Sequence, residues 1–274
     1  MAAGLGTRRG YRRPVLPSAD LDTLLGPLRS NPARSGVLCD FDGTLSPIVD
    51  NPDGARPLDG IVEALHGLAT RYRQVAIISG RPVSFLVDHL DVASEPRLHL
   101  AGIYGLEEVV DGRVVSPPEA PRWRAAAAAV ADAADREAPL NVLVERKGLA
   151  VAIHYRTAPS AAEWVRAFAS AQATANGLVA HHGKMHVELR PPFEVDKGTI
   201  VTRLAAGLEA VCFLGDDVGD LPAFAALDRL AAAGVHCVKV ASTGAEVVPE
   251  VHAAADVVVD GPEGSLDVLR RLLR

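Results

Sequence analysis

Short, continuous runs of apolar residues alternate with segments of helical periodicity along most of the chain. Apolar runs of this length are typical of parallel strands that are covered by helices on both faces. The pattern therefore predicts an α/β fold with a doubly wound, Rossmann-like parallel sheet as its core. The predicted strands are residues 36–41, 74–78, 97–103, 210–214, 237–240 and 255–259, and a predicted helix spans 57–72.

The middle of the chain has a different pattern. Its apolar positions alternate in places with polar ones, as they do in antiparallel strands with one solvated face. We predict strands at 142–146 and 149–155 joined by Lys147–Gly148, and a hairpin of 177–181 and 184–190 that turns at His182–Gly183. Helices are expected at 121–138, which is rich in alanine, and at 161–175.

Paired prolines mark both ends of this middle segment, at 117–118 and 191–192, and a turn is expected at Asp111–Gly112. We therefore predict an inserted α+β cap module over residues 114–191. The α/β core would consist of residues 1–113 and 192–274, and its first 20 residues would form a flexible terminus.

Charge and composition narrow the range of partners. The chain of 274 residues has a formal net charge of −6, so we expect no nucleic acid partner. No apolar stretch has the length of a membrane helix, and no apolar segment follows the basic amino terminus, so neither a membrane anchor nor a secretory signal is expected. The three cysteines lack CxxC spacing. We expect reduced cysteines and a cytoplasmic location.

An acidic motif follows the first predicted strand, where Asp40 and Asp42 stand two residues apart. In an open parallel sheet, ligands bind beyond the carboxyl ends of the strands. One carboxylate in this position can be a nucleophile and the other a general acid/base, while Gly43 and Thr44 can turn backbone N–H groups toward an anion. The alternative is an Asx-Gly turn without a chemical role.

A second acidic motif follows the predicted strand 210–214 and contains Asp216, Asp217 and Asp220. Three carboxylates within five residues repel one another, and a hard divalent cation with oxygen ligands removes that repulsion. This pattern indicates Mg²⁺ as a cofactor. The alternative is a solvated acidic turn.

Polar residues at two further element ends can bind phosphate oxygens. Ser79 and Arg81 follow the strand 74–78, and a hydroxyl with free backbone N–H groups at such a position suits a phosphate oxygen. Lys197 opens a predicted helix and can neutralise phosphate charge. The alternatives are a helix N-cap for Ser79 and a solvated surface lysine for Lys197.

The order of these motifs, DxDGT, SGR, DKG and GDDxxD, resembles the haloacid-dehalogenase phosphatase superfamily. More narrowly, the chain is similar to trehalose-6-phosphate phosphatases from about Leu24 to Leu269. The narrower resemblance rests on residues 40–49, 102–107 (GIYGLE), 144–156 and 183–191. The last two lie in the predicted cap, which in that family is a lid with sugar-recognition residues. One departure is Gly219, where the family usually has Thr.

The resemblance implies roles for the matching positions. Asp40 would be the nucleophile and a metal ligand, and Asp42 the general acid/base with its carbonyl on the metal. Asp216 would complete the metal site, with Asp217 and Asp220 as adjacent ligands or outer anchors. The remaining substrate-binding residues would be Gly43, Thr44, Ser79, Arg81 and Lys197 in the core, and Glu145, Lys147, Lys184, Glu188 and Arg190 in the cap.

Two groups of cap residues have a simpler interpretation. From pattern alone, the charged side chains of the cap could be cross-strand pairs on a sheet surface. The histidines show no metal-ligand spacing, and we expect those of the cap to be strand-surface residues rather than ligands. These histidines are His154, His181, His182 and His186.

The activity implied by the resemblance is Mg²⁺-dependent hydrolysis of a phosphoric monoester. Trehalose 6-phosphate would yield trehalose and phosphate through an aspartyl-phosphate intermediate, the final step of trehalose biosynthesis. The expected partner is this small sugar phosphate, and pairing with a trehalose-phosphate synthase is a further hypothesis. The alternatives are another sugar phosphate, such as sucrose phosphate or a phosphoglycerate glycoside, a phosphomutase, and an inactive regulatory partner of the synthase.

Overall fold

The computed structural model describes residues 18–91, 95, 97–110, 113–183, 185–244 and 248–274, which form two β-sheets flanked by helices. The strands are β1 (Ser35–Cys39), β2 (Gln74–Ile78), β3 (Leu98–Gly102), β4 (Glu107–Val110), β5 (Arg113–Val115), β6 (Leu143–Arg146), β7 (Val151–His154), β8 (Val179–Gly183), β9 (His186–Arg190), β10 (Ala210–Gly215), β11 (His236–Thr243) and β12 (Val257–Asp260). The helices are α1 (Ser18–Ser30), α2 (Ile61–Arg71), α3 (Val83–Leu90), α4 (Ala120–Glu137), α5 (Ala162–Asn176), α6 (Lys197–Leu204), α7 (Leu221–Ala232), α8 (Pro249–Ala254) and α9 (Gly261–Leu272).

The larger sheet has the strand order β12-β11-β10-β1-β2-β3-β4-β5. Its strands from β12 to β3 pair in parallel, which confirms the predicted doubly wound core. Beyond β3, the strands β4 and β5 add an antiparallel extension that the sequence pattern did not predict. These two strands are short and largely solvated, so they lack the apolar run of a buried strand. The turn expected at Asp111–Gly112 lies outside the described residues.

Helices cover both faces of the larger sheet. On one face, α1, α2, α3 and α9 pack over the strands, and on the other α6, α7 and α8 do so. Every residue of β1 and of β10 is buried, because these strands lie at the centre of the sheet between two layers of helices. The predicted helix face of Ile61, Leu65 and Leu68 is fully buried. Each such side chain contributes roughly 1.5–3 kcal/mol of burial free energy.

The smaller sheet is antiparallel and has the order β6-β7-β9-β8. Its strands alternate between two faces. Val151, Ile153, Val187 and Leu189 are buried in a cluster with residues of α4 and α5. The opposite face carries Glu145, which by pairing register shares that face with the polar side chains of His154, His186, Glu188 and Arg190.

The turn predicted at His182–Gly183 is wrong. His182 pairs with Val187 and Gly183 with His186, so β8 continues through both residues and the reversal follows them. Gly183 permits this because its missing side chain leaves space for the His186 ring, which a β-carbon there would approach to 2.1 Å. Met185 turns the chain with a positive φ of 59°.

The crevice of the fold lies between β1 and its neighbours. Strands β2 and β3 lie on one side of β1, and strands β10 and β11, which come later in the chain, lie on the other side. The loops after β1 and β10 therefore diverge, and ligands bind at such a switch point in open α/β sheets. The Asp40 N–H donates to the Leu214 carbonyl at 2.8 Å, which fixes the two strand ends side by side.

The structure also bears on the expectations for the amino terminus, the cysteines and membrane-spanning helices. Residues 1–17 of the expected flexible terminus lie outside the described residues, and helix α1 begins at Ser18. The three cysteines are free thiols, two of them buried. Among the described residues, every helix is too short or too polar to cross a membrane. The division into core and cap at 113/114 and 191/192 stays a prediction.

Candidate active site

A pocket of about 560 Å³ lies at the carboxyl ends of the parallel strands and beneath the polar face of the smaller sheet. Pockets of this size hold small organic ligands. Residues of the α/β fold form one side, here called the core wall, which includes Asp40, Asp42, Ser79, Arg81, Tyr104, Lys197, Asp216 and Asp217. The smaller sheet forms the other side, here called the cap wall, with Glu145, Lys147, His154, Arg156 and His186.

Three carboxylates meet in the core wall. Asp40 follows β1 and Asp216 and Asp220 follow β10, and these three residues have ligand oxygens within 4.8 Å of one another. Burial raises the pKa of Asp40 to about 8, against the opposing charge of Lys197. Burial also raises the pKa of Asp216 well above its usual range. The cluster is therefore a site where negative charge is costly to hold.

Lys197 provides the positive charge of this cluster. It is the first residue of α6, whose amino end is capped by the Asp196 side chain accepting from Thr199 N–H at 2.8 Å. The Lys197 Nζ lies 2.7 Å from Asp40 Oδ1 and 2.6 Å from Asp220 Oδ1. At 3% exposure, Lys197 is not the solvated surface lysine of the alternative interpretation.

The donor set fits a divalent cation. Three ionised carboxylates carry three negative charges against the single positive charge of Lys197, so a divalent ion would bring the sum to zero. Clustered carboxylate oxygens are the ligands that hard cations such as Mg²⁺ prefer. Asp40, Asp216 and Asp220 are therefore the residues that could hold the metal.

Asp217 has a different local role from the three clustered carboxylates. Its Oδ1 accepts from Gly219 N–H at 2.7 Å and caps the short turn before α7. Asp220 completes that cap, because its Oδ2 accepts from the N–H groups of Asp216 at 2.9 Å and Asp217 at 3.1 Å. One oxygen of Asp220 thus shapes the loop, and the other pairs with Lys197.

Gly43 and Thr44 both lie against Asp216 in the core wall. The expected free N–H of Gly43 is wrong, since it donates to the Ser46 carbonyl at 2.8 Å. Gly43 has a φ of 75° and passes close to Asp216, where any β-carbon would lie 2.0 Å from Oδ2. Thr44 is fully buried, and its hydroxyl donates to Asp216 Oδ1 at 3.4 Å.

Arg81 joins the two walls. Its Nε and Nη2 donate to the two carboxylate oxygens of Asp42, both at 2.7 Å, in a bidentate pair. Its Nη1 reaches Glu145 Oε1 of the cap wall at 3.3 Å. The Arg81 N–H in turn donates to the Ser79 hydroxyl at 3.1 Å, so the SGR loop is folded around these contacts. Ser79 is buried and lines the pocket.

A buried ion-pair network lies on the smaller sheet and at the end of β6. Lys147 Nζ is 3.2 Å from Glu188 Oε1 and 3.7 Å from Glu145 Oε2. Although burial opposes it, the charge of Lys147 lowers the pKa of Glu145 to about 2, helped by His154 and Arg81. Lys147 and Glu188 are 7% and 1% exposed, which excludes the surface-pair interpretation for them. Glu188 is not among the residues that line the pocket.

Arg190 makes its contacts outside this network. The Arg190 guanidinium lies 4.2 Å from the centre of the Tyr104 ring and hydrogen-bonds His181 Nδ1 at 2.6 Å. Lys184 lies outside the described residues. Each of the four site motifs contributes at least one residue to the pocket, and of the predicted cap residues Glu145 and Lys147 line it.

The comparisons with known proteins fit this geometry. A family model described as trehalose-phosphatase matches residues 38–258 of the chain. The chain belongs to this family. It is 36% identical over 223 residues to the trehalose-phosphate phosphatase of Mycobacterium leprae, an alignment that covers 74% of this chain and 50% of that protein. The chain spans about half the length of the curated relatives it matches.

Solved structures of the family have the same architecture. The C-terminal domain of trehalose-6-phosphate phosphatase from C. albicans is 24% identical with a TM-score of 0.76, covering 97% of this chain and 99% of that one. The Aspergillus fumigatus trehalose-6-phosphate phosphatase is 26% identical with a TM-score of 0.61, covering 95% and 98%. These structural similarities confirm the α/β fold over nearly the whole of this chain.

Sequence reasoning missed several pocket residues of this family member. His154 and His186, expected on a strand surface, line the pocket with their ring centres 5.2 Å apart. His154 Nε2 also lies 2.8 Å from Glu145 Oε2. Arg156 and Tyr104 line the pocket as well. The sequence pattern that could have identified His154 and His186 is the two-residue alternation of strands, which places them on the same sheet face as Glu145.

Proposed function

We propose that this chain hydrolyses trehalose 6-phosphate to trehalose and phosphate, with Asp40 as the nucleophile and Mg²⁺ as the cofactor. The observation that carries the proposal is one pocket with two unlike walls. Asp40 and Lys197 lie 2.7 Å apart in the core wall, and a face of charged and polar side chains lies across from them in the cap wall. The family membership supports the same substrate.

The core residues would handle the phosphate. Lys197 and the Ser79 hydroxyl would bind phosphoryl oxygens, so that the dianion can approach an anionic nucleophile. When bound by Asp40, Asp216 and Asp220, Mg²⁺ would supply charge compensation for the carboxylates and the phosphoryl oxygens. Arg81, which lines the pocket beside Asp42, would also bind the phosphate.

Hydrolysis would proceed in two half-reactions. An Asp40 oxygen attacks phosphorus while the bond to the sugar oxygen breaks, and Asp42 gives its proton to that oxygen. Water then attacks the phosphorus of the aspartyl phosphate, Asp42 takes its proton, and Asp40 leaves as carboxylate. Since Asp42 must be protonated in the first step, its bidentate pair with Arg81 has to loosen when the phosphate binds.

The cap residues would bind the disaccharide. Carboxylate, ammonium and imidazole groups are good partners for sugar hydroxyls in a closed site, and Glu145, Lys147 and His154 offer them on one face. Arg81 links this face to Asp42, so sugar binding and the protonation of the leaving oxygen would be coupled. The cap would also exclude water during the first half-reaction.

Other substrates of the same chemistry are the second candidate. Sucrose phosphate, a phosphoglycerate glycoside or a mutase substrate would meet the same core wall and differ at the cap wall. The retained carboxylates and Lys197 argue against an inactive regulatory partner. We also propose a cytoplasmic location and pairing with a trehalose-phosphate synthase. The same proposal includes the division into core and cap at 113/114 and 191/192.

A substrate panel tests the proposal. Phosphate release is measured with Mg²⁺ for trehalose 6-phosphate, sucrose 6-phosphate, glucose 6-phosphate and p-nitrophenyl phosphate. We expect the highest kcat/KM for trehalose 6-phosphate. A higher value for another sugar phosphate would contradict the assignment of trehalose 6-phosphate as the substrate but would still support phosphatase activity. No release of phosphate from any ester would contradict both claims. Asp228→Asn, a change on the surface, serves as the folded control for site variants.

A further inference from the structure

Tyr104 lies in the GIYGLE segment, which carried part of the resemblance without receiving a role. Tyr104 and the preceding Ile103 have φ angles of 58° and 47°, both in the left-handed region. This region is unfavourable for residues with a β-carbon and especially for a β-branched one. Two consecutive outliers persist only where the surrounding structure imposes them, and such sites concentrate around functional residues.

The SGR loop imposes this conformation. The Tyr104 N–H donates to the Ser79 carbonyl and the Ile103 N–H donates to the Arg81 carbonyl, both at 2.9 Å. Gly80 lies under the phenol, because a β-carbon there would be 2.8 Å from the Tyr104 Oη. The strained turn thus places the hydroxyl of Tyr104 directly against the loop that also positions Ser79.

The ring of Tyr104 is held from the other sides as well. Arg190 covers it from the cap, with the guanidinium carbon 4.2 Å from the ring centre. Gly219, the position where the family usually has Thr, lies beside the ring, and a β-carbon there would be 3.8 Å from Cε1. At that distance a β-carbon at 219 would be in ordinary van der Waals contact with the ring. Ring position is therefore defined on three sides.

The hydroxyl itself is available to a ligand. It makes no hydrogen bond to any residue that the structure describes, although Tyr104 lines the pocket together with Ser79, Lys197 and Asp217. Buried phenols normally find a partner. Burial, followed by the charges of Glu188 and Asp217, raises the pKa of Tyr104 well above its usual value, so the phenol keeps its proton. It is a neutral donor facing the pocket.

We propose that the Tyr104 hydroxyl donates a hydrogen bond to a phosphoryl oxygen of the bound ester. The phosphate rather than the sugar is its partner because the hydroxyl lies over Gly80, next to the Ser79 end of the core wall. This proposal rests on the proposed phosphatase function, since it assigns one more group to the same phosphate site. Tyr104 would act as a substrate-binding residue.

Tyr104→Phe tests the proposal, because it removes the hydroxyl and keeps the ring beneath Arg190. We expect kcat/KM to fall about 10–150-fold for both trehalose 6-phosphate and p-nitrophenyl phosphate, the loss of a hydrogen bond to a charged partner. Inhibition by inorganic phosphate should weaken in parallel. The matched control is Tyr155→Phe, whose hydroxyl contacts Arg166 in the cap and which should behave like wild type.

The outcomes separate this proposal from the proposed function. Unchanged activity and phosphate inhibition in a folded Tyr104→Phe variant would overturn it, and so would a loss confined to trehalose 6-phosphate, which would assign the hydroxyl to the sugar. If wild type releases phosphate from no ester, the function fails, and calorimetric binding of inorganic phosphate with Mg²⁺ still tests Tyr104. Should the Phe variant not fold, Tyr104→Leu takes its place in the same binding measurement.

Discussion

The two walls of the pocket differ in charge balance. In the core wall, Asp40, Asp216 and Asp220 face one another with Lys197 as their counter-charge, so full ionisation of the three carboxylates leaves an excess of negative charge that a cation would offset. In the cap, Glu145 and Glu188 are paired with Lys147, and Glu145 also contacts Arg81 and His154. An unbalanced cluster suits a metal and a reacting phosphate, whereas a balanced polar network suits a neutral sugar.

The walls also differ in how the backbone presents their side chains. Core residues follow strand ends, where loops diverge at the switch point and several residues of one motif converge. The cap-wall residues lie in antiparallel strands or directly after them, and within the strands successive side chains alternate between the two faces of the sheet. In the proposed function, the core wall therefore handles the phosphate and the cap wall selects the sugar. The predictions below test this division.

The largest effect is expected from Asp40→Asn. The amide cannot form an acyl phosphate, so turnover should fall by about 10⁴-fold or more on every ester. The substitution is nearly isosteric, and thermal unfolding should show a folded protein. Steady-state phosphate release is compared with Asp228→Asn, an equivalent change at the surface. Near-normal turnover in the folded Asp40 variant would disprove covalent catalysis by this residue.

Removal of divalent cations should abolish turnover of trehalose 6-phosphate and of p-nitrophenyl phosphate alike, because the proposed metal ligands belong to the core wall. Activity is measured in EDTA and again after addition of excess Mg²⁺, which should restore it. Asp216→Asn should leave a variant that Mg²⁺ rescues poorly. Full activity in EDTA, or an EDTA effect on only one of the two substrates, would contradict the assignment.

Arg81→Lys should lower activity on both substrates, because Arg81 contacts Asp42 in the core wall and Glu145 in the cap wall. A lysine can make neither the bidentate pair with Asp42 nor the simultaneous contact with Glu145. We expect kcat/KM to fall about 10–150-fold on each substrate. Arg97→Lys, which changes an exposed arginine paired with Glu95, is the matched control. A fall in kcat/KM for trehalose 6-phosphate alone would contradict this expectation and would indicate that Arg81 acts only in sugar binding.

A smaller effect concerns the stability of the cap. The folded-state pKa of Glu145 is lowered to about 2 from its usual 4.5, so its charge stabilises the fold above pH 4.5 and loses this effect as pH falls toward 2. Glu145→Gln should therefore lower Tm at pH 7 by a few degrees, and the difference should shrink below pH 4.5. Glu137→Gln at the exposed end of α4 should show no such trend. A Tm difference that is constant with pH would contradict this account.

The parallel core and its motifs were predictable from sequence, because both depend on local signals. A continuous apolar run gives a buried strand, and polar residues directly after it lie at the edge where ligands bind. Asp40, Ser79 and Asp216 were identified in this way. The short β4 and β5 strands have no such run, so their pairing with β3 could not be read from the pattern.

Contacts between distant segments were much harder to predict. The bidentate pair of Arg81 with Asp42, and the bridge to Glu145, depend on how the two sheets meet. The position of Tyr104 depends on a left-handed turn fixed by carbonyls of another loop. His154 was predictable in principle by its face, but only the register of β6 with β7 shows which face meets the pocket.

The ratio of kcat/KM for trehalose 6-phosphate to that for p-nitrophenyl phosphate, compared between wild type and Lys147→Gln, tests the central claim most directly. The introduced amide carries no charge but can still donate to Glu188, so the buried network keeps a partner and a Tm measurement checks the fold. We predict that the ratio falls about 10–150-fold, because only the trehalose ester reaches the cap wall. An unchanged ratio in a folded variant would contradict the division between a catalytic core and a sugar-selecting cap.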